Sequence, residues 1–277
     1  MRYLENAHPA VCFLYLFSVI AITVFTRAPV MTALSLAGGA LCAGFCGRLR
    51  GMLWLPVMAA CAALANPLFA HSGATVLFFV GDTAFTAEAL AYGAVFGGML
   101  AAAVLWSAAG TRFMTSEKYV WLFGRAVPAA GLVLSCTLRF VPLFIRRTRD
   151  FASARGASGV KGYLSAFSDS VGCSAEQAMT SAEIMRSRGY GTGRRTFYSR
   201  HRFGLRDGVA LAATALCAGG SAALMVSGAG EFGYYPLITG LDFSAADIAL
   251  YIMFGALCFL PSAAVLAEEL RRARAGV

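Results

Sequence analysis

The chain predicts an all-α, multi-pass integral membrane protein with about six transmembrane helices and a helical cytoplasmic domain inserted between the fourth and the fifth. Three observations point there. The 277 residues are 58% hydrophobic with a mean hydropathy of +0.67, far more apolar surface than a soluble core of this size buries. The charged residues fall in clusters separated by apolar runs of bilayer length, and the basic ones gather on one side of those runs.

A bilayer core about 30 Å thick takes roughly 20 apolar residues per helix. Six intervals between charges qualify: His8 to Arg27 (TM1), Arg27 to Arg48 (TM2), Arg50 to Asp82 (TM3), Glu88 to Arg112 (TM4), Asp207 to Glu231 (TM5) and Asp247 to Glu268 (TM6). They divide the chain into a membrane domain at 1–111, a cytoplasmic helical segment at 112–204, and TM5 and TM6 with a basic cytoplasmic tail at 205–277. Arg2 ahead of the apolar run from Ala10 also fits a signal peptide. No small-x-small cleavage site follows the apolar run cleanly, and Arg27-Ala28-Pro29 leads straight into more apolar sequence, so an uncleaved first span is expected.

Lys and Arg beside membrane spans are retained in the cytoplasm, whereas acidic residues contribute little to orientation. Arg2 precedes TM1, Arg48 and Arg50 separate TM2 from TM3, and Arg271, Arg272 and Arg274 follow TM6. The stretch from Gly110 to Arg206 holds 16 of the 23 Lys and Arg against five acids, a net +11. Both termini are therefore expected in the cytoplasm. Arg27 alone falls on the opposite face, where Asp82, Glu88, Glu231 and Asp242 lie in or beside the loops.

Several chemistries lack their residues. The eight cysteines are scattered, form no CxxC pair and fall mostly inside spans, which suits packing between helices rather than a metal centre or a disulfide framework. The histidines are isolated, with no HExxH, so no metal and no cofactor are expected. Without a GxxxxGK[ST] loop the chain does not hydrolyse nucleotide itself, and it reads as a non-enzyme. The spans carry no Asp, Glu, Lys or Arg at mid-depth, where proton-coupled carriers need relays. The basic, aromatic run from Arg194 to Arg202 reads as an anchor to anionic lipid ahead of TM5, not as a nucleic-acid site.

Within the cytoplasmic segment, Ala126 to Leu138 is uncharged but only 13 residues long. Extending it into a seventh span buries Arg125 or Arg139, at roughly 2.5 to 3.5 kcal/mol each at the bilayer centre. Ser116 to Phe151 is therefore expected as a long helical stretch at or below the membrane surface, bent near Pro128 and Pro142; a membrane-dipping hairpin is the alternative. One further helix ends near Arg155-Gly156, and another runs from about Tyr163 to Arg188 and ends at Gly189. Arginine in a last turn with glycine after it is good local chemistry for any helix end. Its recurrence at Ala154-Arg155-Gly156 and Ser187-Arg188-Gly189, in the one region large enough to meet a soluble partner, suggests a two-point interface. A guanidinium offers five donors to carboxylates or carbonyls at a partner's helix ends.

At these residues the sequence resembles the transmembrane T component of energy-coupling factor transporters, the group that includes the cobalt-transport Q protein. The resemblance covers nearly the whole chain: His8-Pro9, Asn66-Pro67-Leu68-Phe69, Thr86-Ala87-Glu88-Ala89-Leu90, Leu138-Arg139-Phe140-Val141-Pro142-Leu143-Phe144, Ala154-Arg155-Gly156, and Met185 to Gly191. It implies a scaffold in the bacterial cytoplasmic membrane that joins two cytoplasmic ABC ATPase subunits to a small substrate-binding membrane subunit for vitamin or metal-ion uptake. By motif position, Arg155 and Arg188 dock the ATPases, and Arg139 and Pro142 belong to a coupling-helix motif. Phe167, Val171, Met179 and Ile184 are candidates for the face that meets the substrate-binding subunit or, equally, for internal packing. Many relatives have one long span after the coupling helices where this chain offers two. The intervening helix is also more polar than expected, with Ser165, Ser168, Asp169, Ser170, Ser174, Glu176 and Gln177. A secondary carrier and, further off, a lipid-modifying membrane enzyme are the competing readings.

Overall fold

The computed structural model describes residues 7–45, 47, 54–69, 74–80, 83–156, 159–190, 192–193, 203–235 and 244–274. Arg2, Arg48, Arg50, Asp82, Asp242, Cys46, His71, His201 and the basic run from Arg194 to Arg202 lie outside them. The described residues form nine helices and one β-hairpin: α1 (Pro9–Phe25), α2 (Pro29–Phe45), α3 (Leu55–Phe69), β1 (Val76–Val80), β2 (Thr83–Thr86), α4 (Ala87–Phe113), α5 (Ser116–Ala126), α6 (Pro128–Ala154), α7 (Gly159–Ser187), α8 (Leu205–Val226) and α9 (Ala245–Arg274). They make two compact units, one from 1–115 with 202–277 and the other from 116–201.

In the first unit, α4 packs on α1, α2 and α3, α9 packs on α2 and α8, and α1 closes the circuit against α8. Val19, Met31, Trp106, Leu250, Phe254, Leu257 and Cys258 fill its core. Ser35, fully buried on α2, links three helices: its Oγ lies 2.8 Å from Thr23 Oγ1 and accepts from Trp106 Nε1 at 3.1 Å. A buried donor left without a partner costs about 1–3 kcal/mol, reduced toward about 1 kcal/mol between helices in membranes. Ser35→Ala should therefore lower the thermal midpoint of the detergent-solubilised protein. Trp106→Phe removes that donor at the cost of a smaller core side chain, so the double variant should lose less than the sum of the two single losses.

Three of the sequence fragments singled out above have clear local roles. His8 caps α1, its Nδ1 accepting from Ala10 N at 3.3 Å, and Pro9 takes the first helical position, where a missing N–H is harmless. His8 N also donates to Asp207 Oδ1 at 3.3 Å, tying the start of α1 to the start of α8. At α4, Thr86 Oγ1 caps Ala89 N, while the buried Glu88 carboxylate accepts from Thr75 N at 3.1 Å and Thr75 Oγ1 at 2.6 Å. Asn66 Nδ2 reaches the same turn, donating to Ala89 O at 2.7 Å.

Among the described residues, four helices are long and apolar enough to cross a bilayer: α4, Ala129–Ala154 of α6, α8, and Ala245–Leu266 of α9. Three of these match TM4, TM5 and TM6. TM1 and TM2 correspond to helices of 17 residues and TM3 to one of 15, about 26 and 23 Å long at 1.5 Å per residue, short of the bilayer core. The expected TM3 interval does not stay helical. Beyond the end of α3 it holds β1, paired antiparallel with β2, because Val76–Val80 is rich in β-branched and aromatic residues.

The fourth apolar helix is α6, in the stretch the sequence places at or below the membrane surface. That stretch is also two helices rather than one. The break falls at Val127 (φ −133°, ψ 98°), since the ring of Pro128 drives the residue before it out of the helical region while suiting the first position of α6. Pro142, by contrast, lies inside α6 without ending it.

Candidate docking site

The second unit consists of α5, α6 and α7, each packed on the next. Gly124 and Gly131 meet across the α5–α6 turn so closely that a Cβ on Gly131 would collide with Gly124 Cα, which brings the two helices back to back. The α6–α7 pair is antiparallel and joined by small and polar side chains. Thr148 Oγ1 lies 2.8 Å from Ser170 Oγ, Arg147 Nη1 donates to Cys173 Sγ at 3.9 Å, and Ala152, Ala166 and Ser170 are buried in the contact. This accounts for part of the unexpected polarity of α7: Ser165, Asp169 and Ser170 engage Arg155 and Thr148 at the α6 side of the contact.

Both arginine signatures sit at helix ends. Arg155 closes α6 with its N–H on Phe151 O, and Gly156 follows at φ +58° with its N–H on Ser153 O. Arg188 closes α7 with its N–H on Ile184 O. Gly189 follows at φ +75°, its N–H on Arg186 O, and Tyr190 N returns to Met185 O, which completes a Schellman motif. Only glycine takes that left-handed position without strain, so the glycine in each signature fixes where the arginine stands. Because the helices run antiparallel, the two arginines lie at opposite ends of α7, whose 29 residues span about 43 Å.

The two differ in their surroundings. Arg188 is exposed and makes no side-chain hydrogen bond or ion pair among the described residues. Arg155 reaches over to α7: its Nη1 donates to Ser165 Oγ at 2.6 Å, and its Nη2 lies 2.8 Å from Asp169 Oδ2 as an ion pair whose orientation is not that of a hydrogen bond. With side chains 52% and 34% exposed, such a pair contributes at most about 1 kcal/mol. An incoming carboxylate can displace Asp169 at small cost. Nothing in sequence spacing signals this pairing, because it depends on the register between α6 and α7.

Arg139 and Pro142, one turn apart on α6, are both exposed, and Arg139 has no side-chain partner among the described residues. The proposed apolar contact residues are all exposed as well: Phe167 48%, Val171 46%, Met179 64% and Ile184 46%. At 100° per residue Phe167 and Val171 share a face, whereas Met179 and Ile184 are turned from Val171 by about 80° and 140°. The structure thus brings together two of the four. Leu164 and Val160, exposed one and two turns before Phe167, extend their stripe at the spacing i, i+4, i+7, i+11, which is visible in the sequence. On α6 the exposed Leu138, Val141 and Ile145 form a second stripe. Each stripe lies roughly a quarter to a third of a turn round from the α6–α7 contact in the same rotational sense, which in antiparallel helices puts both on one side of the hairpin. The edge-to-face contact of Phe144 with Phe167, at 5.5 Å, bridges them.

Among the described residues no three His, Cys, Asp or Glu side chains are grouped to hold a metal ion. Compared with known protein families and with curated proteins, the chain finds no match.

Proposed function

We propose that the chain is the transmembrane scaffold and energy-coupling subunit of an energy-coupling-factor-type ABC importer in the bacterial cytoplasmic membrane, with both termini in the cytoplasm. It holds two ATPase subunits through Arg155 and Arg188 and a small substrate-binding membrane subunit through the apolar side of the α6–α7 hairpin, and it serves uptake of a vitamin or a metal ion. ATP hydrolysis belongs to the partners. The observation that carries this reading is the placement of two arginines, each fixed at a helix C-terminus by a left-handed glycine, at opposite ends of one largely exposed hairpin. With the Arg155 head beside Ser165 and Asp169, the two anchors stand roughly 30 Å apart along α7, which suits two separate partners. When ATP closes the ATPase pair, each anchor moves with its groove, and α6 and α7 pass that displacement to the membrane partner along their apolar side.

Purification from its native membrane tests the assignment. An ATPase pair and a small, strongly apolar membrane protein are expected to co-elute, and solute uptake should depend on ATP. Elution of the chain alone, with transport driven by an ion gradient, would instead identify a secondary carrier and remove the scaffold reading.

A further inference from the structure

Arg27, the one basic residue that the charge pattern leaves unexplained, lines a cleft of about 430 Å³ at the end of the first unit remote from His8 and Asp207. The cleft is formed by the α1–α2 turn, the C-terminus of α8 with the loop after it, and α9; Phe25, Met225, Phe232 and Leu250 give it apolar walls. Its size is that of a small-molecule site.

The walls are held by long-range bonds. Tyr234, buried, donates its hydroxyl to Arg27 O at 2.8 Å and so fixes the backbone that carries the guanidinium. Burial, with Tyr92 nearby, pushes that phenol up to about 12, so it remains a donor at any physiological pH. On the other side Gly230 N donates to Asp247 Oδ1 at 2.7 Å. Gly230 sits at φ +76°, where a side chain is strained, and a Cβ there would stand 2.8 Å from Leu250 Cδ2, so the leucine would have to move aside. That constraint sets the position of Glu231, the next residue.

Arg27 and Glu231 thus project into one cleft from two anchored segments. Both are exposed, and neither makes an ion pair or side-chain hydrogen bond among the described residues. Opposite charges that share a cleft without meeting leave space for a ligand that carries both signs. We propose that this cleft binds a small zwitterion, its phosphate or carboxylate held bidentately by Arg27 and its primary ammonium donating to Glu231. Two sources share that chemistry: the headgroup of an ethanolamine phospholipid, and a free zwitterion such as phosphoethanolamine. Phe25, 78% exposed at the mouth, and Val226, 90% exposed beside it, offer acyl chains an apolar path out of the cleft, which favours the lipid.

The test is thermal unfolding of the purified full chain in neutral detergent, titrated with four probes. Short-chain phosphatidylethanolamine or O-phosphoethanolamine should raise the midpoint. Phosphatidylcholine, whose ammonium has no N–H, and phosphatidylglycerol, which has no ammonium, should not. A response to the lipid alone assigns a headgroup site, and a response to O-phosphoethanolamine assigns a site for a free zwitterion. Arg27→Gln and Glu231→Gln, which change side chains that make no ion pair or hydrogen bond among the described residues, should each weaken the effective probe at least about tenfold. Equal responses to all four probes, no response to any, or responses that survive both substitutions overturn the proposal. The four-probe comparison on the unmodified chain needs no variant.

Discussion

Arg155→Glu combined with Arg188→Glu is expected to leave the protein inserted in the membrane while ATPase co-purification falls about a thousandfold and uptake stops. Breaking a hydrogen-bonded charge pair at an interface costs about 2–5 kcal/mol. Two such losses at the lower bound total about 4 kcal/mol, close to three decades of affinity. Insertion should be unaffected, because both side chains are exposed and lie in the second unit, outside the bundle formed by α1–α4, α8 and α9. The pairing of Arg155 with Asp169 and Ser165 raises a rival account, that this arginine merely staples α6 to α7. Asp169→Asn separates the two. If Arg155 docks a partner, removing its intrachain competitor leaves ATPase binding unchanged or tightens it. If Arg155 is only a staple, Asp169→Asn reproduces the loss seen with Arg155→Ala. Full retention of the ATPases by the double reversal would falsify the docking role outright.

What could be read from the sequence divides along the range of the interactions involved. The ends of α6 and α7 were legible because an arginine followed by glycine is a local signal, decided by one backbone conformation at Gly156 and Gly189. TM4, TM5 and TM6 were legible because length and apolarity alone define them. The interval assigned to TM3 failed because hydropathy does not distinguish a helix from a strand. Val76–Val80 is as apolar as a span, yet its branched and aromatic side chains suit an extended chain. Around Pro128 the sequence predicts a bend where the structure has a break between α5 and α6, because a single proline can either bend a helix or start one and the sequence does not choose. At the candidate site, the exposure of Phe167 and Val171 and the pairing of Arg155 depend on which face of α7 meets α6. That register rests on Thr148, Ser170 and Cys173, ordinary small residues that carry no motif.

The largest effect on folding should come from Gly97→Leu in α4. Helices in a bilayer gain little from the hydrophobic effect when they meet, so close packing and interhelical hydrogen bonds must hold them together, and small residues allow the closest approach. Gly93 and Gly97 lie one turn apart on the face of α4 that meets α3. A Cβ at Gly97 would stand 2.5 Å from Ala59 O and 3.0 Å from Ala59 Cα; one at Gly93 would stand 2.8 Å from Ala63 O. These obstacles are backbone atoms, which cannot rotate away, so even Gly97→Ala must push α3 outward, at about 1–3 kcal/mol. Leucine adds three carbons to that clash, and Gly97→Leu is expected to yield no monodisperse protein after detergent extraction. Two other glycines show that the effect is steric and local. Gly98 faces side-chain atoms, Thr32 Cγ2 at 3.1 Å and Leu36 Cδ1 at 3.5 Å, which can shift, so Gly98→Ala should cost less than Gly97→Ala. Gly172 on α7 has open space where a Cβ would go, and Gly172→Ala should stabilise by up to about 1 kcal/mol through helix propensity alone. If the three alanine variants unfold at the same temperature, the α3–α4 crossing is not the close glycine contact described, and α4 must find its place in the bundle by its other faces, against α1 and α2.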